Sequence, residues 1–484
     1  MASEIRVNKL NSQTGVGTIT LSPTGVDISG ITTAETLKAT TGIVTTLTAT
    51  TGIVTTFEAT TGDITTLRAP TGIVTSLEAT TGDITTLRAP TGIVTSFVTN
   101  TAKVGGGVTI SESGIEASGI GITCANINGA QIGGRRNIVI NGAMNLAQRG
   151  TSSTQDDIKT VDRFAKGESG TDESLTQAQV NVASGTTPYT LGFRKAFKIT
   201  NGNQTSGAGT ADQANIGYKF EAQDIANCGW NYLSSTSYIT FSYWVKSSVA
   251  QNFYNTFGTN DGTSQRYVTE TGSLSADTWT KITKTIPGNS NLTFNNDNGE
   301  GLEITWECYR GTSQTGTRPL NAWAAADNNT RTPDQTSTWW TTNDATFEIT
   351  GVQLEVGSQA TAFEHLSKAE ELTLCERYCE VILEGEGDGA YMVNSVGYAS
   401  NQLYGIFRFK VEKRVSPTLE HTTGTNYYIN YRDNSGINFD GFSGLSWPNK
   451  RATGVYTSSS VTSGHAGLIG SSNSGALLYC TAEL

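Results

Sequence analysis

The strictest hydrophobic pattern of the chain lies in its first hundred residues. From Ala39 to Val98 six decapeptides follow one another without an insertion, each with Gly at its fourth position and β-branched residues after it. Gly permits the positive φ of a tight turn, and β-branched residues favour an extended backbone. Each copy is therefore predicted to be a short strand with a turn, stacked along one axis.

Two positions of every decapeptide stay apolar and form the predicted core of this shaft. Within one chain, so few apolar side chains do not offset a backbone ordering cost of about 1 to 2 kcal/mol per residue. Three identical chains around one axis would complete the core and leave no free strand edge, so we predict a homotrimer; a single-chain β-solenoid is the alternative. The predicted trimer core consists of Val44, Leu47, Val54, Phe57, Ile64, Leu67, Val74, Leu77, Ile84, Leu87, Val94 and Phe97.

Short apolar segments with Gly-rich turns lie on both sides of the repeats. Those in residues 1–30 are too few to build a core alone, so this segment is predicted to attach to a larger assembly. The shaft is assigned to residues 31–104, and residues 105–136 are predicted to form a second shaft segment or collar.

From Asn137 onwards the apolar segments lengthen and aromatic residues appear. Ile239, Phe241, Tyr243 and Val245 alternate with more polar residues, which is typical of a strand with one buried face. Residues 137–366 are predicted to form one jelly-roll-like β-sandwich with long loops, with Trp306 in its core. The predicted strands are 191–200, 216–221, 238–246, 279–286, 302–309 and 347–354.

One segment shows the period of a helix. Ser367 and Glu370 have the spacing of a capping box, and apolar residues then recur at three and four positions. A helix is predicted over residues 367–382, followed by a β tip domain over 383–484 with strands at 405–411 and 476–479. The apolar face of the predicted helix consists of Leu374, Cys375, Tyr378, Cys379 and Ile382.

Composition and charge agree with this pattern. The chain of 484 residues contains 54 Gly and is 36% hydrophobic and 15% charged, which is typical of a turn-rich all-β protein. A net charge of −11 without a long basic run argues against nucleic acid as a partner. Neither a standard secretion signal nor membrane insertion is expected. The six Cys lack zinc-like spacing and are expected to be small buried hydrophobes.

Several longer motifs carry a resemblance to a known family. They are SEIRVNKLNSQTGVGTITLSPTG (3–25), RRNIVINGAMNLAQRG (135–150), TVDRF (160–164), ITFSYWVKS (239–247), WTKITKTIPG (279–288), FEITGVQLEVGSQATAFEHLSKAEELTLCERYCE (347–380), FRFKVEKRVSPTL (407–419) and TAEL (481–484). With these motifs the chain resembles tail fibres of bacteriophages that infect marine cyanobacteria.

The resemblance implies a structural protein of the virion, assembled in the host cytoplasm as a homotrimer. Residues 1–30 would join phage tail or adaptor proteins, and the distal β-domains would contact a receptor on the host cell. The sandwich of such fibres resembles carbohydrate-binding modules, which implies a glycan receptor such as lipopolysaccharide. The whole chain is thus predicted to be an all-β, elongated homotrimeric fibre with a decapeptide-repeat β shaft, a jelly-roll-like β-sandwich, one short α-helix and a C-terminal β tip domain.

Two clusters combine aromatic rings with the planar polar groups that a sugar-binding site needs. For each, loop packing or a trimer contact is the alternative interpretation. The candidates are Trp323, Asn328, Asn329, Asp334, Trp339 and Trp340 in a long predicted loop region, and Tyr427, Tyr428, Asn430, Tyr431 and Trp447 in the tip.

Catalysis, cofactors and metals are not expected. Glu384, Glu386 and Asp388 lie close together in a Gly-rich loop, but a solvated turn is the commoner arrangement for such residues. The three His are scattered, and residues 295–300 lack the alternating acids of a dedicated calcium loop. The alternatives to a receptor-binding fibre are a structural head or tail fibre without a receptor, and a glycan-degrading tailspike.

Overall fold

The computed structural model describes residues 9–11, 17–22, 25–30, 101–103, 108–111, 114–117, 135–385 and 391–484. Residues 31–100, with the decapeptides and their predicted trimer core, lie outside the described residues, so the shaft stays a prediction. Described residues up to 30 belong to one compact unit and those from 115 onwards to a second. Within the described residues, no helix is long and apolar enough to cross a membrane.

The described residues are nearly all β, as the sequence predicts. The helices are α1 (Thr187–Thr190), α2 (Ala222–Ala226), α3 (Thr338–Thr341) and α4 (Lys368–Glu376). The strands are β1 (Lys9–Asn11), β2 (Gly17–Ser22), β3 (Gly25–Gly30), β4 (Thr101–Lys103), β5 (Val108–Ser111), β6 (Gly114–Ala117), β7 (Ser152–Ser153), β8 (Ala165–Ser169), β9 (Thr176–Asn181), β10 (Lys195–Thr200), β11 (Gln213–Glu221), β12 (Tyr238–Ser247), β13 (Asn252–Thr259), β14 (Gln265–Ser273), β15 (Thr280–Pro287), β16 (Glu300–Arg310), β17 (Trp323–Ala325), β18 (Thr346–Val356), β19 (Cys379–Glu384), β20 (Tyr391–Ala399), β21 (Gln402–Arg408), β22 (Thr418–His421), β23 (Tyr428–Arg432), β24 (Ser435–Phe439), β25 (Gly444–Ser446), β26 (Ala452–Ser458), β27 (Ala466–Ser471) and β28 (Leu477–Thr481).

Two six-stranded antiparallel sheets form a sandwich. Their strand orders are β15-β12-β18-β10-β9-β7 and β17-β14-β13-β16-β11-β8. Trp306 lies in the core between them, with its ring 5.7 Å from that of Phe241 and 5.8 Å from that of Tyr243. Ile239, Phe241, Tyr243 and Val245 are at most 1% exposed. The alternation read from β12 and the core position of Trp306 are therefore confirmed.

The helix that follows the sandwich begins as predicted but ends early. Ser367 Oγ accepts from the backbone N–H of Glu370, and the Glu370 carboxylate accepts from the N–H of Ser367 at 3.0 Å, which completes the capping box. Helix α4 ends at Glu376, and β19 begins at Cys379 and pairs with β28. The predicted helix to residue 382 is therefore wrong, because strand pairing overrides the local period.

The cysteines that the structure describes behave as apolar residues. Cys308, Cys375, Cys379 and Cys480 are buried, Cys228 is partly buried, and all five are free thiols. Burial raises the pKa of each of these thiols. Their role as small buried groups is therefore confirmed, except that Cys228 is only partly buried.

Residues 379–484, called here the C-terminal domain, form two further sheets. Three strands pair in the order β19-β28-β22 and seven in the order β24-β23-β27-β20-β21-β26-β25. Leu403, Val455, Ile469 and Leu478 share one buried core. Inward and outward side chains alternate along the seven-stranded sheet, so its other face is open to solvent.

Ion pairs and a hydrogen bond join the sandwich to the C-terminal domain and to Arg377 and Tyr378, which lie just before it. The Glu483 carboxylate pairs with Arg149 Nη2 at 2.8 Å and with Arg163 Nη1. Glu221, at the end of β11, accepts from Arg377 Nε at 2.6 Å and from the Tyr378 hydroxyl at 2.6 Å. Three of the motifs quoted for the resemblance (135–150, 160–164 and 481–484) thus meet at one interface.

The pKa values of two carboxyl groups in this interface are shifted in opposite directions. Burial alone would raise the pKa of Glu483, but Arg163 and Arg149 hold it below its ordinary value. Burial raises the pKa of Asp162 to about 6, although Arg149 and the hydrogen bonds from Gln148 act against this. Asp162 therefore retains a proton in the folded protein over a pH range in which the unfolded chain has released it.

We expect Asp162→Asn to change the pH dependence of stability between about pH 4 and 6. In this range the folded wild type carries one more proton than the unfolded chain, so its free energy of unfolding falls as the pH rises, by at most about 1.4 kcal/mol per pH unit from this group. The variant lacks that slope. Urea unfolding at a series of pH values measures the free energy of unfolding of both proteins. If it changes with pH in the same way in the wild type and the variant, the raised pKa of Asp162 is contradicted.

Candidate functional site

The outward face of the seven-stranded sheet carries four aromatic rings, called here the aromatic cluster. They belong to Tyr398 on β20, Tyr404 on β21, Tyr456 on β26, and Trp447, which follows β25. Along β21 the inward residues Leu403 and Gly405 are buried, so Tyr404 between them faces outwards. Tyr404 lies directly opposite Tyr456 across the strand pair.

The rings of the cluster lie side by side around Tyr404. The ring centre of Tyr404 is 5.9 Å from that of Trp447 and 5.7 Å from that of Tyr456, with interplanar angles of 26° and 22°. Tyr398 completes the group, with its ring 5.2 Å from that of Tyr404 and tilted by 57°. Aromatic rings at these distances support one another and form a continuous apolar surface.

Much of this surface is exposed. Trp447 is 75% and Tyr398 66% exposed, while Tyr404 and Tyr456 are half-buried. Aliphatic side chains extend it on the same face: Ile406, Leu468 and Val396 are also exposed, and Val396 lies opposite Tyr404. Soluble proteins seldom leave large contiguous apolar patches in water unless the patch is an interaction site.

The polar atoms of the cluster are available to a ligand. Within the part of the chain that the structure describes, the hydroxyls of Tyr398, Tyr404 and Tyr456 and the indole N–H of Trp447 make no hydrogen bond. Exposed Gln402 and Ser458 form the next outward pair along β21 and β26, two residues from Tyr404 and Tyr456. Rings, an amide and hydroxyls therefore share one face.

The backbone at Trp447 is unusual. Its φ of 50° lies in the left-handed region, which is uncommon for a bulky side chain. Such strain persists where surrounding structure holds it, and it is concentrated at functional sites. Here it brings the indole against Tyr404.

The predicted tip residues are divided between the two faces of the sheet. Trp447 belongs to the aromatic cluster, and Tyr431 lies opposite exposed Leu468 on the same face. Tyr428 and Asn430 are at most 1% exposed and point into the core. Tyr427 is partly buried and packs against that core. Tyr428 and Asn430 therefore cannot contact a surface ligand, because strand alternation directs them inwards.

The predicted loop cluster does not form an aromatic platform. Trp339 and Trp340 are fully buried, and their indole N–H groups donate to backbone carbonyls of Thr346 and Gly207. Trp323 packs against Tyr267 at 5.3 Å and donates to the Pro287 carbonyl at 2.7 Å. These rings are core and packing residues. The polar candidates Asn328, Asn329 and Asp334 are exposed.

Three members of the cluster, Tyr398, Tyr404 and Tyr456, are absent from the sequence-based candidates. Each stands on a different strand, and strand pairing brings them together. The sequence signal that could have found such residues is the alternation of side chains along a strand. Tyr404 stands between Leu403 and Gly405, so its side chain is expected on the outward face of that strand.

No cation cage is found at the acidic turn of residues 295–300. Asn295 binds Asp261, and Asp297 Oδ1 accepts from the N–H of Gly299 at 2.9 Å, as in an Asx turn. Among the described residues, no group of three or more His, Cys, Asp or Glu side chains is placed to hold a metal ion.

The fold and surface define a β-rich protein with a two-sheet sandwich and an exposed aromatic face. No protein-family model matches the chain, and no curated protein does. Among solved structures it is similar to the enzymatically active domain of tailspike protein 4 of bacteriophage CBA120, with 10% identity, 46% of this chain and 21% of that chain covered, and a TM-score of 0.25.

Two sugar-binding domains also match. The N-terminal cellulose-binding domain of Cellulomonas fimi β-1,4-glucanase C is 12% identical, with 45% of this chain and 99% of that chain covered and a TM-score of 0.21. The CBM22-1 xylan-binding domain of Paenibacillus barcinonensis Xyn10C is 9% identical, with 43% and 94% covered and a TM-score of 0.21. At these scores the likenesses carry no conclusion about function.

Proposed function

We propose that this protein is a homotrimeric tail fibre protein of a bacteriophage that binds a glycan, such as lipopolysaccharide, on the host cell. Residues 1–30 attach it to the tail, and the aromatic cluster of the C-terminal domain contacts the receptor. The observation that carries the binding role is the exposed aromatic cluster itself. The motifs quoted above support the assignment to a tail fibre.

The cluster suits a sugar better than a purely apolar ligand. The C–H face of a pyranose can stack on Tyr404 and Trp447, while the ring hydroxyls reach the phenol groups and the side chains of Gln402 and Ser458. Tyr and Trp are suited to this role because each combines an apolar ring with a polar atom. The face is open rather than enclosed, so it can accept one part of a long polymer.

The proposed role is binding without catalysis. Bond cleavage in a glycan commonly needs two carboxyl groups on either side of the scissile bond. The outward residues of the cluster and its paired neighbours offer hydroxyl, amide and indole groups instead.

Adsorption of the full-length protein to purified cyanobacterial lipopolysaccharides and to a glycan array tests the proposal. We expect saturable binding to a subset of glycans, no release of reducing sugar, and a trimer by sedimentation equilibrium. Release of sugar would instead support a tailspike enzyme. Failure to bind any cell envelope or glycan would support a structural fibre without a receptor.

A further inference from the structure

Three arginines on the outer face of the sandwich form no salt bridge with any described carboxylate. Arg266 lies on β14, and Arg318 and Arg331 lie in the segment 311–337 that packs over that face. The segment is held there by β17, which pairs with β14, and by the N–H of Asn321, which donates to the Val268 carbonyl at 2.8 Å. Within the described residues, none of the three arginines forms a salt bridge.

Arg318 and Arg266 are held by backbone carbonyls. Arg318 is 8% exposed, and it donates from Nη1 to Ala325 O at 2.9 Å and from Nη2 to Arg266 O at 3.1 Å. Its Nε is buried and has no partner among the described residues. Arg266 Nη1 donates to Asp327 O at 2.6 Å. Carbonyl groups orient these guanidinium groups but do not neutralise their charge.

Arg331 is positioned by its backbone alone. Its N–H donates to the Gln314 carbonyl at 2.8 Å, and the next residue, Thr332, bridges to Thr315. Its side chain makes no hydrogen bond within the described part of the chain, and its Nε is buried. Buried donors without a partner are rare because leaving one unsatisfied is costly.

The pKa values of Arg266 and Arg331 are both lowered, which agrees with a cluster of positive charges that carboxylates only partly compensate. Burial, followed by Arg331 and Arg318, lowers the pKa of Arg266 to about 10. Burial and Arg310 lower the pKa of Arg331, against the opposite effect of Glu307 and Glu303. Two nearby carboxylates have other hydrogen-bond partners. The Asp327 carboxylate, which interacts electrostatically with Arg318 and Arg266, accepts from the N–H of Asn329 and the hydroxyl of Thr330. The Glu307 carboxylate accepts two hydrogen bonds from Arg310 Nη2, at 3.0 and 2.7 Å, and one from Arg310 Nε.

We propose that Arg266, Arg318 and Arg331 form a binding site for an oxyanion, either free sulfate or phosphate or a carboxylate or sulfate carried by a sugar. The guanidinium group suits such ligands because its N–H groups match two oxygens at once. Asn328 is exposed and its Oδ1 lies 3.5 Å from Arg266 Nη2, so it stands at the edge of the site. The site lies on the sandwich, separate from the aromatic cluster.

Calorimetric titration of the full-length protein with sodium sulfate at constant ionic strength tests this site. We expect wild-type protein to bind sulfate and Arg331→Gln to weaken binding by about tenfold or more, because one charge-assisted contact is lost. The matched control is Arg451→Gln, whose side chain is 81% exposed and pairs with Glu412 on the C-terminal domain; it should bind as the wild type does. Absence of binding to the wild type, or equal binding to Arg331→Gln, overturns the proposal.

Asn328→Asp provides a second variant that leaves the core intact. It places a carboxylate beside Arg266, which should compete with the ligand and weaken sulfate binding; unchanged binding would count against the site. Titration with D-glucuronate and with D-glucose distinguishes a free oxyanion from an oxyanion carried by a sugar. If the wild type binds sulfate and also glucuronate but not glucose, the ligand is a sugar-borne oxyanion; if it binds sulfate but neither sugar, the ligand is a free oxyanion.

Discussion

Replacing Glu483 with Gln is expected to lower the free energy of unfolding by about 3 to 5 kcal/mol, which is the usual cost of removing one member of a buried ion pair. Arg149 and Arg163 have side chains that are each 2% exposed, and both bind this carboxylate. Without it, two buried guanidinium groups keep their charge with less compensation. Arg163 also stacks over the Tyr378 ring at 3.5 Å, so it cannot readily turn towards water.

The effect should depend on pH in a defined direction. Because Arg163 and Arg149 lower the pKa of folded Glu483, its contribution is fully present above its unfolded value of 4.5. It is lost as the pH falls through the folded value. The difference in stability between wild type and Glu483→Gln should therefore shrink in acid.

Urea unfolding, monitored by circular dichroism, measures the difference in free energy of unfolding between the wild type and Glu483→Gln. Glu412→Gln is the control, because Glu412 and its partner Arg451 are 48% and 81% exposed. Such an exposed pair contributes about 0 to 1 kcal/mol. Similar losses for the two variants would show that the interface ion pairs contribute no more than surface pairs.

The second large effect is expected on binding. Each of Tyr404→Ala and Trp447→Ala should weaken adsorption to the receptor glycan by about tenfold or more, as truncation of aromatic anchors in binding sites does. The double variant should lose measurable adsorption. Stability should change little, because Trp447 is mostly exposed and Tyr404 is half-buried. Binding curves of full-length protein on cell envelopes measure the loss.

Leu233→Ala is the matched control for this pair. Leu233 is 53% exposed but lies on the sandwich, away from the seven-stranded sheet. It should adsorb as the wild type does. If the double variant also adsorbs normally, the aromatic cluster is not the receptor site. The double variant should still bind sulfate. A wrong assignment of the aromatic cluster can therefore be distinguished from a wrong assignment of the arginine site.

Much of the fold could be read from local pattern. The alternation in β12, the core position of Trp306 and the capping box at Ser367 all depend on residues close together in the chain, and all three are confirmed. The helix was extended too far because Cys379 and Ile382 continue its period, while pairing of β19 with β28 is a long-range interaction. Local periodicity contains no information about such a partner.

The candidate site was predictable only in part. Trp447 could be selected as an aromatic residue in a polar, Gly-rich segment. Trp339 and Trp340 share the same signal yet are fully buried, because their environment is set by the sheets beneath them. Arg266, Arg318 and Arg331, which form no salt bridge within the described residues, have no local signature either, because only the tertiary structure decides whether a carboxylate pairs with an arginine.

By itself the sequence determined that the described part of this protein is built mainly of β-strands, which side chains of β12 face inwards and where helix α4 begins. These properties depend on backbone preference and on the two-residue period of a strand, which neighbouring residues set. Only the tertiary structure decided which rings share a surface and which charges meet in the interior. Residues 398, 404, 447 and 456, or 149, 163 and 483, are brought together by cross-strand pairing and domain packing, and burial then decides whether each group contacts a ligand or the core.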